Sequence, residues 1–155
     1  MRGKKAIKRD ITPDLRYNSL LVAKLINSVM LDGKKETSRL QVYKALDDLA
    51  TRTKVPAIDA LEKAYDNVKP KIEVRSRRVG GANFQVPVQV SPERQQALAT
   101  RWILEAARSG RKDTEFWVSL SREFQNAFKK EGSAFKKKEE VFRMAEANKA
   151  FAQFA

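Results

Sequence analysis

The chain has 155 residues and a mass of 17.7 kDa, and its 32 Lys and Arg against 19 Asp and Glu leave a formal net charge of +13. It contains no Cys and no His, which excludes disulfides, thiol nucleophiles, thiolate metal sites and histidine general bases. We therefore predict no catalytic residue, no metal site and no cofactor. The longest apolar run, residues 20–23, is too short to span a bilayer, so we expect a soluble cytoplasmic protein.

The positive charge is concentrated in two segments. Residues 1–18 carry six basic and two acidic side chains, and residues 69–80 carry five and one. These 30 positions hold +8 of the net +13, so the rest of the chain is nearly balanced. A balanced body with basic extensions is typical of a protein that binds a polyanion, and nucleic acid is the first candidate.

Apolar residues at helical spacing predict three helices in the first 70 residues. The first has Asn18 or Ser19 as its N-cap and Gly33 as its stop, whereas the third starts at Pro56, which suits a first helical turn, and ends at Pro70. The predicted apolar stretches are 20–31 for the first helix, 42–50 for the second and 58–68 for the third.

After Pro70 the apolar period changes to two, which predicts a β-hairpin at 72–90 with a turn at Gly80-Gly81. Pro87 cannot donate an amide hydrogen bond and requires an edge strand, and both strands of a two-stranded ribbon are edges. We expect the apolar face of the second strand to lie on the core. The tip and the outer face of the first strand carry glycine and arginine, so the base of the ribbon should lie on the core and the tip should project.

Three more helices follow the ribbon. The fourth begins at the cap Ser91-Pro92-Glu93 and ends at Gly110, and the fifth begins at Asp113. Gly132 closes the fifth helix and Ser133 opens the sixth. The predicted fold is mainly α, a single six-helix domain with a protruding two-stranded ribbon and a basic tail. Its segments are a basic extension at 1–18, a helical domain at 19–149 and a flexible end at 150–155.

Two tryptophans and one phenylalanine are the aromatic residues whose roles need weighing. Trp102 and Trp117 each fall on the apolar stripe of a helix, so we interpret both as core residues. Phe84 follows the ribbon tip and could stack on a base or pack, with packing slightly favoured.

Basic side chains in four places are candidates for binding phosphates. Those of the tail resemble an arm that orders on a nucleic-acid backbone, and arginines on a stiff ribbon can reach phosphates bidentately. The positive residues at two helix ends add to this pattern, and glycine at the ribbon tip allows a close approach to a ligand. The candidates are Lys4, Lys5, Lys8, Arg9, Lys34, Lys35, Arg75, Arg77, Arg78, Lys136, Lys137 and Lys138.

Acidic pairs provide the main alternative to a binding protein. Asp47-Asp48 and Glu139-Glu140 each lie beside lysines and are interpreted as solvated helix faces. A carboxylate-and-metal nuclease would need Asp47 or Asp48 in a pocket with other acids. The other alternative is an architectural DNA-binding protein, which would need an apolar wedge at the ribbon tip.

Four sequence motifs resemble the small-subunit ribosomal protein seven family of bacterial type. They are NSVMLDGKK at 27–35, VRSRRVGGANFQVPVQV at 74–90, ALATRWILEAARSG at 97–110 and FRMAEANKAFA at 142–152. The match runs in order along essentially the whole chain. The resemblance implies a six-helix fold with a protruding ribbon and a structural, non-enzymatic role in the small ribosomal subunit.

The resemblance also implies partners and site residues. The chain would be a primary binder of small-subunit ribosomal RNA that organises the 3′ major domain, the head, beside the exit-site transfer RNA and the messenger path. Ribosomal proteins of the head and one of the platform would be its neighbours. The implied ribosomal RNA contacts add Arg2, Arg94, Arg101 and Arg108 to the basic candidates above. The implied transfer RNA and messenger contacts are Gly80, Gly81, Ala82, Asn83, Arg143, Met144 and Asn148.

Overall fold

The computed structural model describes residue 3 and residues 9–111 and 113–154, with the backbone alone at residue 154. Within these residues, three α-helices precede a two-stranded ribbon along the chain and three follow it, and a 3-10 helix ends the described part. The bounds are α1 Leu20–Val29, α2 Lys35–Thr53, α3 Ala57–Val68, β1 Ile72–Val79, β2 Ala82–Gln89, α4 Pro92–Ser109, α5 Phe116–Phe128, α6 Gly132–Ala147 and the 3-10 helix Lys149–Phe154. The predicted fold class is confirmed. No helix in the described ranges is long and apolar enough to cross a membrane.

Helix α5 is the centre of the core, because it packs against α2, α3, α4 and α6. Its Leu120, Phe124 and Ala127, at helical spacing, are fully buried. Near them, the hydroxyl groups of Tyr65 and Thr100 share a hydrogen bond of 3.1 Å that links α3 to α4. Burial raises the pKa of Tyr65 to about 12, so this hydroxyl stays neutral.

Several helix boundaries differ from those predicted. Helix α1 ends at Val29, two residues before Leu31, and Ser19 is its N-cap. Pro56 is the N-cap of α3 and lies just outside that helix.

The predicted start of α5 at Asp113 was wrong, because the helix begins at Phe116. Side chains hold the preceding residues in a loop. Gln41 of α2 accepts the backbone N–H of Trp117 at 3.0 Å, and the Thr114 and Ser119 hydroxyl groups lie 3.3 Å apart.

Gly132 does not stop α5 as predicted, because it is the first residue of α6. The left-handed residue after α5 is Lys130, with φ 64°. The N–H of Glu131 then donates to the carbonyl of Asn126 at 2.7 Å, which closes the helix in a Schellman arrangement. Gly132 also has a positive φ, 89°, and packs tightly against the end of α5.

The ribbon turns at Gly80-Gly81, where both residues have positive φ as a two-residue type I′ turn requires. Residues opposite each other in an antiparallel pair share a face, and the register pairs Glu73 with Val88 and Arg75 with Val86. The apolar residues of β2 therefore share a face with Glu73 and Arg75. Glu73, at the base of β1, is 8% exposed, whereas residues 79–83 at the tip are exposed.

The C-terminal 3-10 helix packs against β2 of the ribbon. The rings of Phe84 and Phe151 lie 5.2 Å apart between centroids, so Phe84 packs as favoured. Trp102 is buried as predicted, whereas Trp117 is partly buried at the edge of the core. That residues 150–155 are flexible stays a prediction.

Candidate nucleic-acid interface

Helix α4 carries a line of exposed arginines along one side. Arg94, Arg101 and Arg108 are spaced seven residues apart, and all three are exposed. Seven residues are almost two helical turns, so the three side chains leave the helix on the same side. With a rise of about 1.5 Å per residue, the line is about 21 Å long. We call these three residues the α4 arginine stripe.

A groove between α1 and α4 lies beside the middle of the stripe. It has a volume of about 620 Å³, and Arg101, Arg108 and Lys24 all line it. The ammonium group of Lys24 donates to the Gln96 amide oxygen at 3.2 Å, which fixes the lysine between the two helices. The lining of the groove therefore includes three cationic side chains and two acidic ones, Glu93 and Glu105.

A second groove continues from the end of the stripe. It has a volume of about 610 Å³ and is lined by Lys34, Arg111 and again Arg108, which makes the two grooves adjacent. Lys24 and Arg111 were not among the predicted contacts. Lys24 lies inside the first predicted helix without a basic neighbour, and Arg111, beside Lys112, follows the stop of the fourth helix at Gly110.

Residues 14–17, at the end of the predicted basic extension, are fastened to α2. The buried carboxylate of Asp14 accepts the Tyr43 hydroxyl at 2.8 Å and the backbone N–H groups of Arg16 and Tyr17. Arg16 forms a bidentate pair with Asp47 at 2.9 and 3.0 Å. These contacts fix the point where the extension leaves the body.

Ile11 lines the α1–α4 groove, so the extension leaves the body beside the α4 arginine stripe. Of the predicted tail residues, Arg9 is described and exposed. Those outside the described residues are Arg2, Lys4, Lys5 and Lys8.

The base of the ribbon meets the start of α4 through one carboxylate. Glu73 accepts hydrogen bonds from Arg75 of the ribbon at 2.5 Å and from Arg94 of the stripe at 3.2 Å. The structure therefore brings two predicted contact residues together. Arg77 and Arg78 are exposed farther along β1, toward the tip.

The predicted lysines of α6 belong to a different part of the surface. Lys138 is half-buried and donates to the Asn67 carbonyl at 2.5 Å, and it lines a separate groove with Lys71 and Arg143. Burial, followed by the positive charges of Lys130 and Lys71, lowers the pKa of Lys138. Lys138 thus has a packing role.

The two neighbouring lysines of α6, Lys136 and Lys137, differ from Lys138 in their contacts. Lys137 pairs with Glu140 at 2.8 Å, and Lys136 is exposed. Neither lines one of the grooves beside the stripe.

The predicted residues for transfer RNA and messenger lie on two connected elements. Gly80, Gly81, Ala82 and Asn83 form the exposed ribbon tip. Arg143 and Met144 are exposed on α6, and the half-buried Asn148 donates to the Met144 carbonyl at 2.8 Å. The contact between Phe84 and Phe151 joins the ribbon to the segment that follows α6.

The pair Asp47-Asp48 makes structural contacts instead of forming an acidic site. Asp48 accepts hydrogen bonds from Ser121 at 2.6 Å and from Arg52 at 3.0 Å. Burial opposes its ionisation, but these hydrogen bonds outweigh burial and lower its pKa. In the part of the chain that the structure describes, no group of three or more acidic residues is arranged to hold a metal ion.

An exposed arginine stripe beside two adjacent grooves, a basic ribbon and an anchored N-terminal extension define a nucleic-acid-binding protein. The particular family follows from comparison with known proteins. The family model of ribosomal protein S7p/S5e matches residues 1–149, and the chain belongs to this family. The family is structural and non-enzymatic, so the predictions of family and of no enzymatic activity are both confirmed.

Curated relatives agree along the full length. The chain is 53% identical over 154 residues to small ribosomal subunit protein uS7 of Thermosipho africanus, with 99% of each chain covered. It is 51% identical to the protein of the same name from Sulfurovum sp. over 154 residues, again with 99% of each covered. The uS7 of Pelagibacter ubique is 48% identical over 153 residues, covering 99% of this chain and 97% of that relative.

Proposed function

We propose that the chain is a primary binder of small-subunit ribosomal RNA and organises the 3′ major domain that forms the head of the subunit. Family membership and relatives named as small ribosomal subunit proteins support a general role in the small ribosomal subunit. The chain is a structural constituent of the small subunit, binds RNA, takes part in translation and lies in cytoplasmic ribosomes.

The α4 arginine stripe, with its two adjacent grooves, is the main support for binding to the 3′ major domain. Arginine can donate two parallel hydrogen bonds to one phosphate, and a rigid helix fixes the spacing of three such groups. The deep major groove of A-form RNA hides base edges, so specificity should come from the shape of folded RNA. The stripe, Lys34 and the N-terminal extension would bind phosphates on neighbouring strands.

The ribbon tip and the exposed end of α6 would face the exit-site transfer RNA and the messenger. Their support is that both are exposed and that the contact between Phe84 and Phe151 connects them. Proteins of the head and one of the platform would cover other surfaces of the body.

Competition between nucleic acids tests the RNA-binding proposal. The full chain is bound to a transcript of the 3′ major domain, and bulk transfer RNA or duplex DNA is added in excess across a salt series. We expect specific binding to survive both competitors. Equal displacement by every polyanion would contradict the proposal, and preference for bent duplex DNA would favour the architectural alternative.

A shortened ribbon tests the role of the tip. Deleting two opposing pairs next to the turn removes Arg78, Val79, Ala82 and Asn83 and preserves the pairing of Arg77 with Phe84. This shortens the ribbon by about 7 Å. We expect head assembly to proceed despite the loss of Arg78, because the other predicted ribosomal RNA contacts remain, and exit-site occupancy or reading-frame maintenance to decline. Unchanged translation would contradict a role for the tip.

A further inference from the structure

Glu73 is an acidic residue buried between two arginines that the proposed function assigns to RNA. Its side chain lies on the β1 face shared with Val86 and Val88, and the residue is 8% exposed. One carboxylate oxygen accepts from Arg75 Nε at 2.5 Å, and the other accepts from Arg94 Nε at 3.2 Å. A single carboxylate therefore bridges the ribbon and the first arginine of the α4 arginine stripe.

The bridge fixes each guanidinium group on one side and leaves it open on the other. The side chains of Arg75 and Arg94 keep 55% and 45% of their exposure. An unpaired long side chain loses rotamer freedom when it binds a phosphate, and a chain already held in place loses less. A buried carboxylate also needs its cationic partners, because desolvation disfavours an isolated charge.

We propose that Glu73 is a positioning residue for RNA recognition, holding Arg75 and Arg94 at a fixed separation where ribbon and body meet. The pair then binds phosphates of one RNA backbone segment that passes over this junction. This inference rests on the proposed function, since it assumes that both arginines contact ribosomal RNA. A purely structural ion pair would stabilise the ribbon base and leave RNA affinity to the overall charge.

The positioning role and the purely structural role of Glu73 predict opposite changes in RNA affinity when its charge is removed. Glu73→Gln removes one negative charge and raises the formal net charge from +13 to +14, so a charge-dominated interaction would tighten. If Glu73 positions the arginines, binding to the 3′ major domain weakens despite the added positive charge. We expect a loss of roughly tenfold in specific affinity. Binding to bulk transfer RNA should be unchanged or slightly tighter.

The experiment measures the affinity of the full chain for the 3′ major domain transcript and for bulk transfer RNA. The matched control is Glu62→Gln, which removes the same charge from an exposed position on α3. Glu73→Asp is the second variant, because it keeps the net charge and withdraws the carboxylate by one methylene. We expect Glu73→Asp to lose specific affinity by several-fold and Glu62→Gln to lose none.

Controls separate the possible failures. Circular dichroism melts verify that each variant is folded at the assay temperature, and Glu73→Asp serves if Glu73→Gln is unfolded. Glu73→Gln should cost little further affinity in a chain that already carries Arg75→Ala and Arg94→Ala, because the acid acts through these two arginines. Folded Glu73 variants that bind the transcript as tightly as the parent would refute the inference. A parent chain without specific binding would refute the proposed function instead.

Discussion

Gly132→Ala should destabilise the protein through both its backbone and its surroundings. Gly132 has φ 89°, in the left-handed region, which costs a non-glycine residue about 1–2 kcal/mol. A Cβ at this position would lie 2.8 Å from the Asn126 Cβ and 2.9 Å from Glu123 Oε1. Overpacking of this kind costs about 1–3 kcal/mol.

The contact of the new Cβ with Glu123 matters because the Glu123 carboxylate caps α6. It accepts the backbone N–H of Ala134 at 2.9 Å, and the new methyl group would displace it. The free energy of unfolding should therefore fall by about 2–5 kcal/mol in total.

Gly33→Ala is the matched control, since Gly33 has φ 72° and a Cβ there would meet no heavy atom within 4 Å. It should cost only the backbone part, about 1–2 kcal/mol. Urea unfolding measures both variants, with m expected to stay constant while the midpoint moves. Equal losses for Gly132→Ala and Gly33→Ala would refute the packing argument.

Two further predictions concern Glu123 and the C-terminal 3-10 helix. Burial raises the pKa of Glu123, so the folded chain binds this proton more tightly than the unfolded chain, and stability declines as the pH rises from the ordinary value of 4.5 through the raised pKa of the folded chain. Glu123→Gln lacks this decline, so its stability relative to the parent should increase with pH in urea unfolding series, and a constant difference would contradict the assignment. Phe151→Ala removes the ring contact with Phe84 and should speed amide exchange in β2 while the body melts unchanged. Equal protection of β2 in both proteins would show that the 3-10 helix does not restrain the ribbon.

Helices and ribbon could be predicted because local rules govern them. Apolar spacing, proline and glycine mark the six helices, and Gly80-Gly81 marks the turn of the ribbon. The α5 start was missed because Gln41, 76 residues away, fixes the first turn by accepting the Trp117 N–H. Such distant contacts leave no trace in a local pattern.

Individual residues of the candidate site could be predicted, but their arrangement in space could not. The family resemblance implies the basic residues of α4 as contacts, but the two grooves that add Lys24 and Arg111 depend on helix packing. The bridging role of Glu73 could not be predicted, because strand alternation gives two faces without saying which is covered. The pairing register and the approach of Arg94 decide that question.

The α4 arginine stripe can be tested most directly by the salt dependence of binding to the 3′ major domain transcript. The parent is compared with the double variant Arg101→Ala/Arg108→Ala, and Arg122→Ala, exposed on α5 and outside both grooves, is the control.

Each phosphate contact contributes about 0.7–0.9 to the slope of log affinity against log salt. Loss of two contacts should therefore lower the slope by about 1.4–1.8, with the control unchanged. A slope in the double variant equal to that of the parent would mean that the stripe does not contact RNA phosphates, and the central claim would be wrong.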